Sequence, residues 1–465
     1  MSTLAQSTQA HALIQALAEA EVQFQVLVPE DPDYDARVQS YWSLQTRLKP
    51  SHFILPRSAQ EVASVIKVLT THRATFAVRS GGHTPHAGAN NIEGGVTIDL
   101  SLMNWTRYDA AAETVDIGPG GRWRDVYGEL DKHGRVVAGG RNGTVGVGGL
   151  IIGGGISFST GRRGFACDDV ISFEVVLADG RIITASMEEH PDLYFALKGG
   201  SGNFGIVTNY KMHALKSEGI YGGLKVYPEQ VTPSAIEALP DFKDIVVVVA
   251  FAQVAGVADA PAYDGFKDLP AIMNTCKPTT ALGAVSEYDV VPGGNQSTFF
   301  TATFGNEARI VAKATELHKQ FVDDLKGFIP DGDFTTQCLL QPLPKIYGEI
   351  SARHGGNVMG LDRQPIDGLL FVAIVLVKTP EQQAFAYPRI QSWVEKLRAY
   401  AATIEDGNLD WVYLNYADRS QDPLRSYGAE NVRRMKQVAA KYDPQAVFQD
   451  LCPGGFKISH VAELT

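Results

Sequence analysis

Glycine-lined corners that end in reactive side chains carry the chemistry of this 465-residue chain. Arg79-Ser80-Gly81-Gly82-His83 follows a short apolar run, and a second zone, Gly139 to Gly155, holds nine glycines in seventeen residues. A third, residues 198–205, reads Lys-Gly-Gly-Ser-Gly-Asn-Phe-Gly. Glycine adopts positive φ cheaply and lets a ligand approach the backbone. N–H groups clustered in such turns form concavities suited to phosphate. For any one cluster a plain tight turn explains the composition equally well; three in order point to a long diphosphate ligand lying across one domain. None has the GxxxxGK[ST] spacing or a GxGxxG after a first strand, so neither nucleotide motif applies.

The elements around these corners follow from periodicity. Residues 53–55 and 76–78 read as strands. Between them Ser58 and Glu61 have capping-box spacing, and Val62, Val65, Ile66 and Leu69 form a buried helical stripe. Residues 171–178 and 181–185 read as strands joined at Asp179-Gly180. From 216 to 410 glycine thins. Apolar runs at 245–252, 298–304 and 369–377 alternate with helical periodicity at 310–321 and 383–397, predicting a second domain with an antiparallel sheet and helices. Residues 411–416 read as a strand. Residues 429–441 read as a helix with Val432, Met435 and Val438 on one face. The first 45 residues read as a helical extension, with Leu13, Ile14, Leu17 and Ala18 at helical spacing.

Several classes fall away. With 41 basic and 52 acidic residues the formal charge is −11, which argues against nucleic acid or an anionic membrane as partner. The apolar runs of eight and nine residues fall short of the ~20 needed to span a bilayer. Cys167, Cys276, Cys338 and Cys452 lie far apart without a CxxC, giving neither a metal site nor a disulfide framework. No basic stretch leads into an apolar core at the N-terminus, so a cytoplasmic protein is expected. Oligomeric state has no signature here.

The blocks taken together resemble a known family. Arg79 to His83, Gly94-Gly95-Val96-Thr97-Ile98-Asp99-Leu100, Thr144-Val145-Gly146-Val147-Gly148-Gly149 with Gly153-Gly154-Gly155, Asp168-Asp169-Val170, residues 192–208, Asn415-Tyr416, Tyr427-Gly428 and Tyr442-Asp443-Pro444 occur in the family's order over nearly the whole chain. They are similar to FAD-linked oxidases with a PCMH-type, vanillyl-alcohol-oxidase-like flavin domain, in the berberine-bridge-enzyme-like subgroup. The resemblance implies an α+β, two-domain flavoprotein. Its FAD domain would comprise residues 46–215 plus a returning tail, 411–465. Residues 216–410 would form the substrate domain, with an antiparallel sheet and helices.

The resemblance also implies roles. His83 falls where relatives bond covalently to the flavin 8α-methyl, and Arg79, Ser80, Gly81 and Gly82 would wrap the pyrophosphate. Bicovalent members carry a cysteine before Thr-Val-Gly; Asn142 stands there, so one bond through His83 and no cysteinyl bond is expected. Thr144, Val145, Gly146, Gly149, Gly154, Gly205, Val207, Asn415 and Tyr416 complete the expected FAD contacts. Val145 aligns with the oxygen gatekeeper, small as in oxygen-reactive members. Tyr413 matches a tyrosine that deprotonates substrate, with Asn415 on the same strand face and Arg141 as its candidate cation; a packed structural tyrosine is the alternative. Cys167 reads as a buried apolar residue. The implied reaction oxidises a small aromatic or polyketide/alkaloid-like metabolite, passing two electrons through flavin to O2, with Phe299, Phe304 and Phe371 lining the substrate space. A carbohydrate oxidase, or a non-redox isomerase or cyclase on the same scaffold, is the alternative.

Overall fold

The computed structural model describes residues 24–228, 246–289 and 293–462. The helical spacing at residues 13–18 lies outside the described residues. From residue 24 onward the chain is not an extension. Gln25–Leu27 is an edge strand antiparallel to His52–Leu55, and helix Pro32–Gln39 packs Tyr34 and Val38 against Leu27, Phe53 and Leu55.

The first sheet runs Gln25–Leu27, His52–Leu55, Val96–Asp99, Phe76–Arg79, the last three parallel. Parallel strands need a crossover, and helix Ala59–Thr71 supplies it. Its Ser58 Oγ accepts from Glu61 N at 3.2 Å, while the Glu61 carboxylate accepts from Arg57 N, one residue short of the reciprocal capping-box bond. Val62, Val65, Ile66 and Leu69 are sealed beneath it. A second, antiparallel sheet runs Thr106–Asp109, Thr114–Ile117, Ile206–His213, Val170–Val176, Ile182–Ser186. Its last hairpin turns at Asp179-Gly180, where Gly180 adopts φ +79°.

Residues beyond 220 build the other domain. Gln296–Gly305, Gly368–Val377 and Thr335–Leu343 pair antiparallel, with Asn408–Leu409 on the outer edge. Alternation divides this sheet. Phe300, Ala302, Phe304, Phe371, Ala373 and Val375 face the long helices Ala308–Phe328 and Pro380–Ala401. Phe299, Leu339, Val372, Ile374 and Leu376 face the other way, meeting Trp42 and Tyr416 of the flavin side. Phe304 and Phe371 are therefore not substrate lining: both are completely buried, in ring contact with each other, beneath Trp393. Of the three, Phe299 alone lies on the face toward Trp42 and Tyr416.

The tail returns to the first domain. Helix Ala429–Tyr442 packs on Pro191–Leu197, and Val447–Leu451 enters the first sheet's core with Phe448 edge-on to Phe76. A buried polar cluster joins the domains. Lys198 Nζ lies 3.3 Å from Asp168 Oδ1, and Asp168 accepts from Ser351 Oγ at 2.5 Å, Asn357 Nδ2 at 3.0 Å and Phe165 N at 2.9 Å. Neither ionic side chain is exposed. Removing one partner strands a charge, so Lys198→Met is expected to cost about 3–5 kcal/mol. A lowered urea midpoint checks this. Cys167, beside Asp168, is buried as expected, and burial pushes its thiol pKa up.

Candidate active site

Two glycine loops meet. A Cβ on Gly81 would lie 2.5 Å from Gly146 Cα, and one on Gly146 would lie 2.5 Å from Gly81 Cα. Ser80 stitches the loops: its Oγ donates to Pro119 O at 2.6 Å and accepts from Gly148 N at 3.2 Å. Val147 N donates to Gly121 O at 2.9 Å. Among the described residues no carbonyl accepts from the N–H groups of Gly81, Gly82 or His83. Gly81 and His83 border a cavity of about 340 Å3, lined also by Trp42, Arg122, Arg124, Thr144 and Asp289 among others.

The cavity is rich in cations. Arg122 Nη1 donates to Thr144 O, and burial, then the positive charges of Arg79, Arg124 and Arg37, lower its pKa to about 10. A diphosphate would relieve that repulsion, and the free loop N–H groups match its oxygens. The residues fit FAD. Arg122 had no part in the sequence reading, although Gly120-Gly121-Arg122 carries another glycine corner. Trp42, Asp289 and Gln341 were likewise not read from sequence.

Arg79 does not line this cavity. Its guanidinium is 1% exposed, lies over the Tyr41 ring at 3.8 Å, and pairs with the buried Asp99 at 3.4 Å. It also donates to Ser40 Oγ at 2.8 Å. Arg37 shares Asp99. Arg79 therefore shapes the loop from behind, and Gly82, at φ +66°, leaves room for it: a Cβ there would meet Arg79 Nε at 2.9 Å.

His83 stacks on Trp42, ring centroids 5.6 Å apart and planes 20° apart. Burial first, then Arg122, lowers its pKa to about 3, so the imidazole is neutral and keeps a nucleophilic lone pair. Asn142 Oδ1 accepts from Thr144 N at 3.0 Å and Thr144 Oγ1 at 2.8 Å, while its Nδ2 donates to Asp289 Oδ1 at 2.8 Å, clasping the loop to the other domain. Val145 is half-buried, and its carbonyl accepts from Trp123 N at 3.2 Å. Gly149 faces open space. Gly154, at φ +102°, touches Met359, and Gly205 abuts Val175 and Val176. Val207 lies in the sheet core, paired with Val175.

The tail segment departs from the expected strand. Leu414–Tyr416 is a turn of 3-10 helix. Tyr413, 2% exposed, has a hydroxyl that accepts from Gly155 N, Ile156 N and Asn415 Nδ2, each at 3.1 Å. Burial raises its pKa. A phenol so placed braces the Gly153–Gly155 corner and makes a poor base. Asn415 also donates to Leu150 O at 3.1 Å and lies against Gly153. Arg141 does not serve Tyr413 as a hydrogen-bond donor. Its Nη2 donates to Tyr416 Oη at 3.1 Å and to Gln341 Oε1 at 2.5 Å. Tyr416 is half-buried and joins the apolar face of the substrate sheet.

Tyr413→Phe leaves two buried backbone donors short of an acceptor, at about 1–3 kcal/mol for each group left unsatisfied. A urea midpoint well below wild type is expected; an unchanged midpoint contradicts the bracing role.

Residues 50–186 match a family described as the FAD binding domain. The chain is 37% identical to the FAD-dependent monooxygenase drtC of Aspergillus calidoustus, over 96% of this chain and 90% of that protein. It is 31% identical to the bifunctional solanapyrone synthase of Alternaria solani, over 95% and 88%. Among solved structures, 6-hydroxy-D-nicotine oxidase from Arthrobacter nicotinovorans superposes with TM-score 0.76 at 21% identity, over 92% of this chain and 97% of the other. Xylooligosaccharide oxidase from Myceliophthora thermophila gives 0.76 at 20%, over 97% and 100%. These two show a shared fold.

Proposed function

The chain belongs with the FAD-dependent monooxygenases named above and carries their FAD binding domain, and we propose that it is a berberine-bridge-enzyme-like oxidase of a small aromatic or polyketide/alkaloid-like metabolite. One observation carries the reading. An apolar sheet face, Phe299, Leu339, Val372 and Ile374, meets Tyr416 and the Trp42 on which His83 stacks. A flat apolar molecule suits that face. A sugar would leave many hydroxyls there without partners.

When bound, FAD would supply the two-electron acceptor for a hydride, with O2 as the proposed final acceptor and H2O2 as its product. The chain does the rest. Gly81, Gly82 and Arg122 hold the diphosphate. His83, kept neutral by burial, would carry the flavin through one bond; Asn142 has no thiol with which to add a second. Tyr416, as a phenolate paired with Arg141, takes the substrate proton and becomes the neutral phenol. Tyr413 and Asn415 fix the corner beside it.

The relatives named above as monooxygenases make oxygen's fate the deciding test. With labelled O2 the label is expected in H2O2 and absent from the product, at one H2O2 per substrate. Label in the product overturns the oxidase reading, and fast H2O2 release with simple oligosaccharides overturns the substrate class.

A further inference from the structure

We propose that Gln341 is a substrate-recognition residue: its Nε2 binds the acidic oxygen of a phenolic or enolic substrate, the same oxygen whose proton Tyr416 accepts, with Arg141 as the positioning cation. The inference deepens the reading above and rests on it.

Orientation is the first argument. Arg141 Nη2 is a donor only, and it donates at 2.5 Å to Gln341, so the amide must present its oxygen there. The amide nitrogen is thereby forced to the opposite side, where it is buried and has no partner among the described residues. A buried NH2 without an acceptor is costly, and native interiors keep few of them. A substrate oxygen would satisfy it. The second argument is place. The Arg141 nitrogen that holds Gln341 Oε1 also donates to Tyr416 Oη at 3.1 Å, so amide and phenol are neighbours through one atom.

The third argument is contrast. Gln341 pairs with Leu370 on a strand whose same-face neighbour Leu339 pairs with Val372. Phe299, Val372 and Ile374 continue that face without charge. An apolar surface that ends in one unpaired donor, one phenol and one guanidinium selects a flat molecule with a single acidic oxygen at its reacting end. In the step proposed, Tyr416 reacts as the phenolate paired with Arg141: the substrate O–H bond breaks and its proton goes to the phenolate oxygen. A carbon–hydrogen bond conjugated to that oxygen then breaks, and its hydrogen leaves with both electrons to FAD. The substrate loses one proton and one hydride, and FAD gains the two electrons.

The test uses the flavin-loaded protein and two probes, para-nitrophenol and its hydroxyl-free counterpart nitrobenzene, followed by perturbation of the flavin absorbance. Wild type is expected to bind para-nitrophenol in its ionised, yellow form and more tightly than nitrobenzene. Gln341→Leu is expected to weaken para-nitrophenol about tenfold, the loss of one hydrogen bond to a charged oxygen, and to leave nitrobenzene unchanged. Gln341→Glu keeps the bond to Arg141 but faces the probe with a carboxylate, and is expected to abolish para-nitrophenol binding. Equal affinity of wild type and Gln341→Leu for para-nitrophenol, or equal affinity of wild type for both probes, overturns the proposal. Its failure is separable from that of the oxidase reading. Gln341-dependent phenol binding without flavin reduction by any phenol would sink only the latter, and substrate-driven H2O2 release unaffected in Gln341→Leu would sink only the former.

Discussion

Tyr416→Phe is expected to slow reduction of the enzyme-bound flavin about 10²–10⁴-fold, the usual share of a positioned general base. The hydroxyl has one protein partner among the described hydrogen bonds, Arg141 at 3.1 Å, and it adjoins the apolar face of the substrate sheet. Its deletion therefore leaves the fold intact: the urea midpoint and flavin content should match wild type while the anaerobic reduction rate collapses. The contrast with Tyr413 is sharp. Three donors converge on the Tyr413 hydroxyl, so its loss appears in the midpoint. Two tyrosines three residues apart thus give opposite signatures. A Tyr416→Phe enzyme whose flavin is reduced at the wild-type rate would move the base elsewhere.

Gly146→Ala is expected to abolish FAD retention. Gly146 has ordinary backbone angles, φ −74° and ψ 150°, so the obstacle is space rather than strain. The new methyl would sit 2.5 Å from Gly81 Cα and N and 2.8 Å from Ser80 Oγ. Neither loop can retreat cheaply, because Ser80 ties one to Pro119 and Gly148, and Val147 ties the other to Gly121. Overpacking costs typically about 1–3 kcal/mol, here concentrated on the donors that face the diphosphate. The purified variant should be colourless, with a flavin-to-protein ratio near zero. Gly327→Ala is the control. That glycine lies in helix Ala308–Phe328 with nothing within 4 Å of the added carbon, and the variant should stay yellow.

Much of this architecture was legible along the chain because it is locally encoded. The Ser58 cap, the stripe Val62, Val65, Ile66 and Leu69, the Asp179-Gly180 hairpin and the helix bearing Val432, Met435 and Val438 all depend on neighbours a few residues away. Other features depend on partners far off. Alternation in Phe299 to Phe304 groups residues by face, but which face receives the helices is decided by residues 308–328 and 380–401, so Phe304 and Phe371 were placed on the wrong side. The segment Trp411 to Tyr416 alternates like a strand, yet among the described residues no strand pairs with it. It closes a turn instead, and Arg141, 275 residues from Tyr416, bonds that phenol rather than Tyr413. Arg79 fits a phosphate-loop pattern, but the buried Asp99 claims it. Family likeness locates the corner; side-chain geometry separates Tyr413, on which three donors converge, from Tyr416, which Arg141 bonds.

Intact-mass spectrometry of the purified, denatured protein tests the central claim most directly. If the two glycine loops hold one FAD joined through His83 alone, wild type should weigh the polypeptide plus one FAD, with the modified peptide containing His83. His83→Ala should then give the bare polypeptide and release its flavin on denaturation. A wild-type mass of polypeptide alone, or a His83→Ala protein that keeps covalent flavin, would contradict the account.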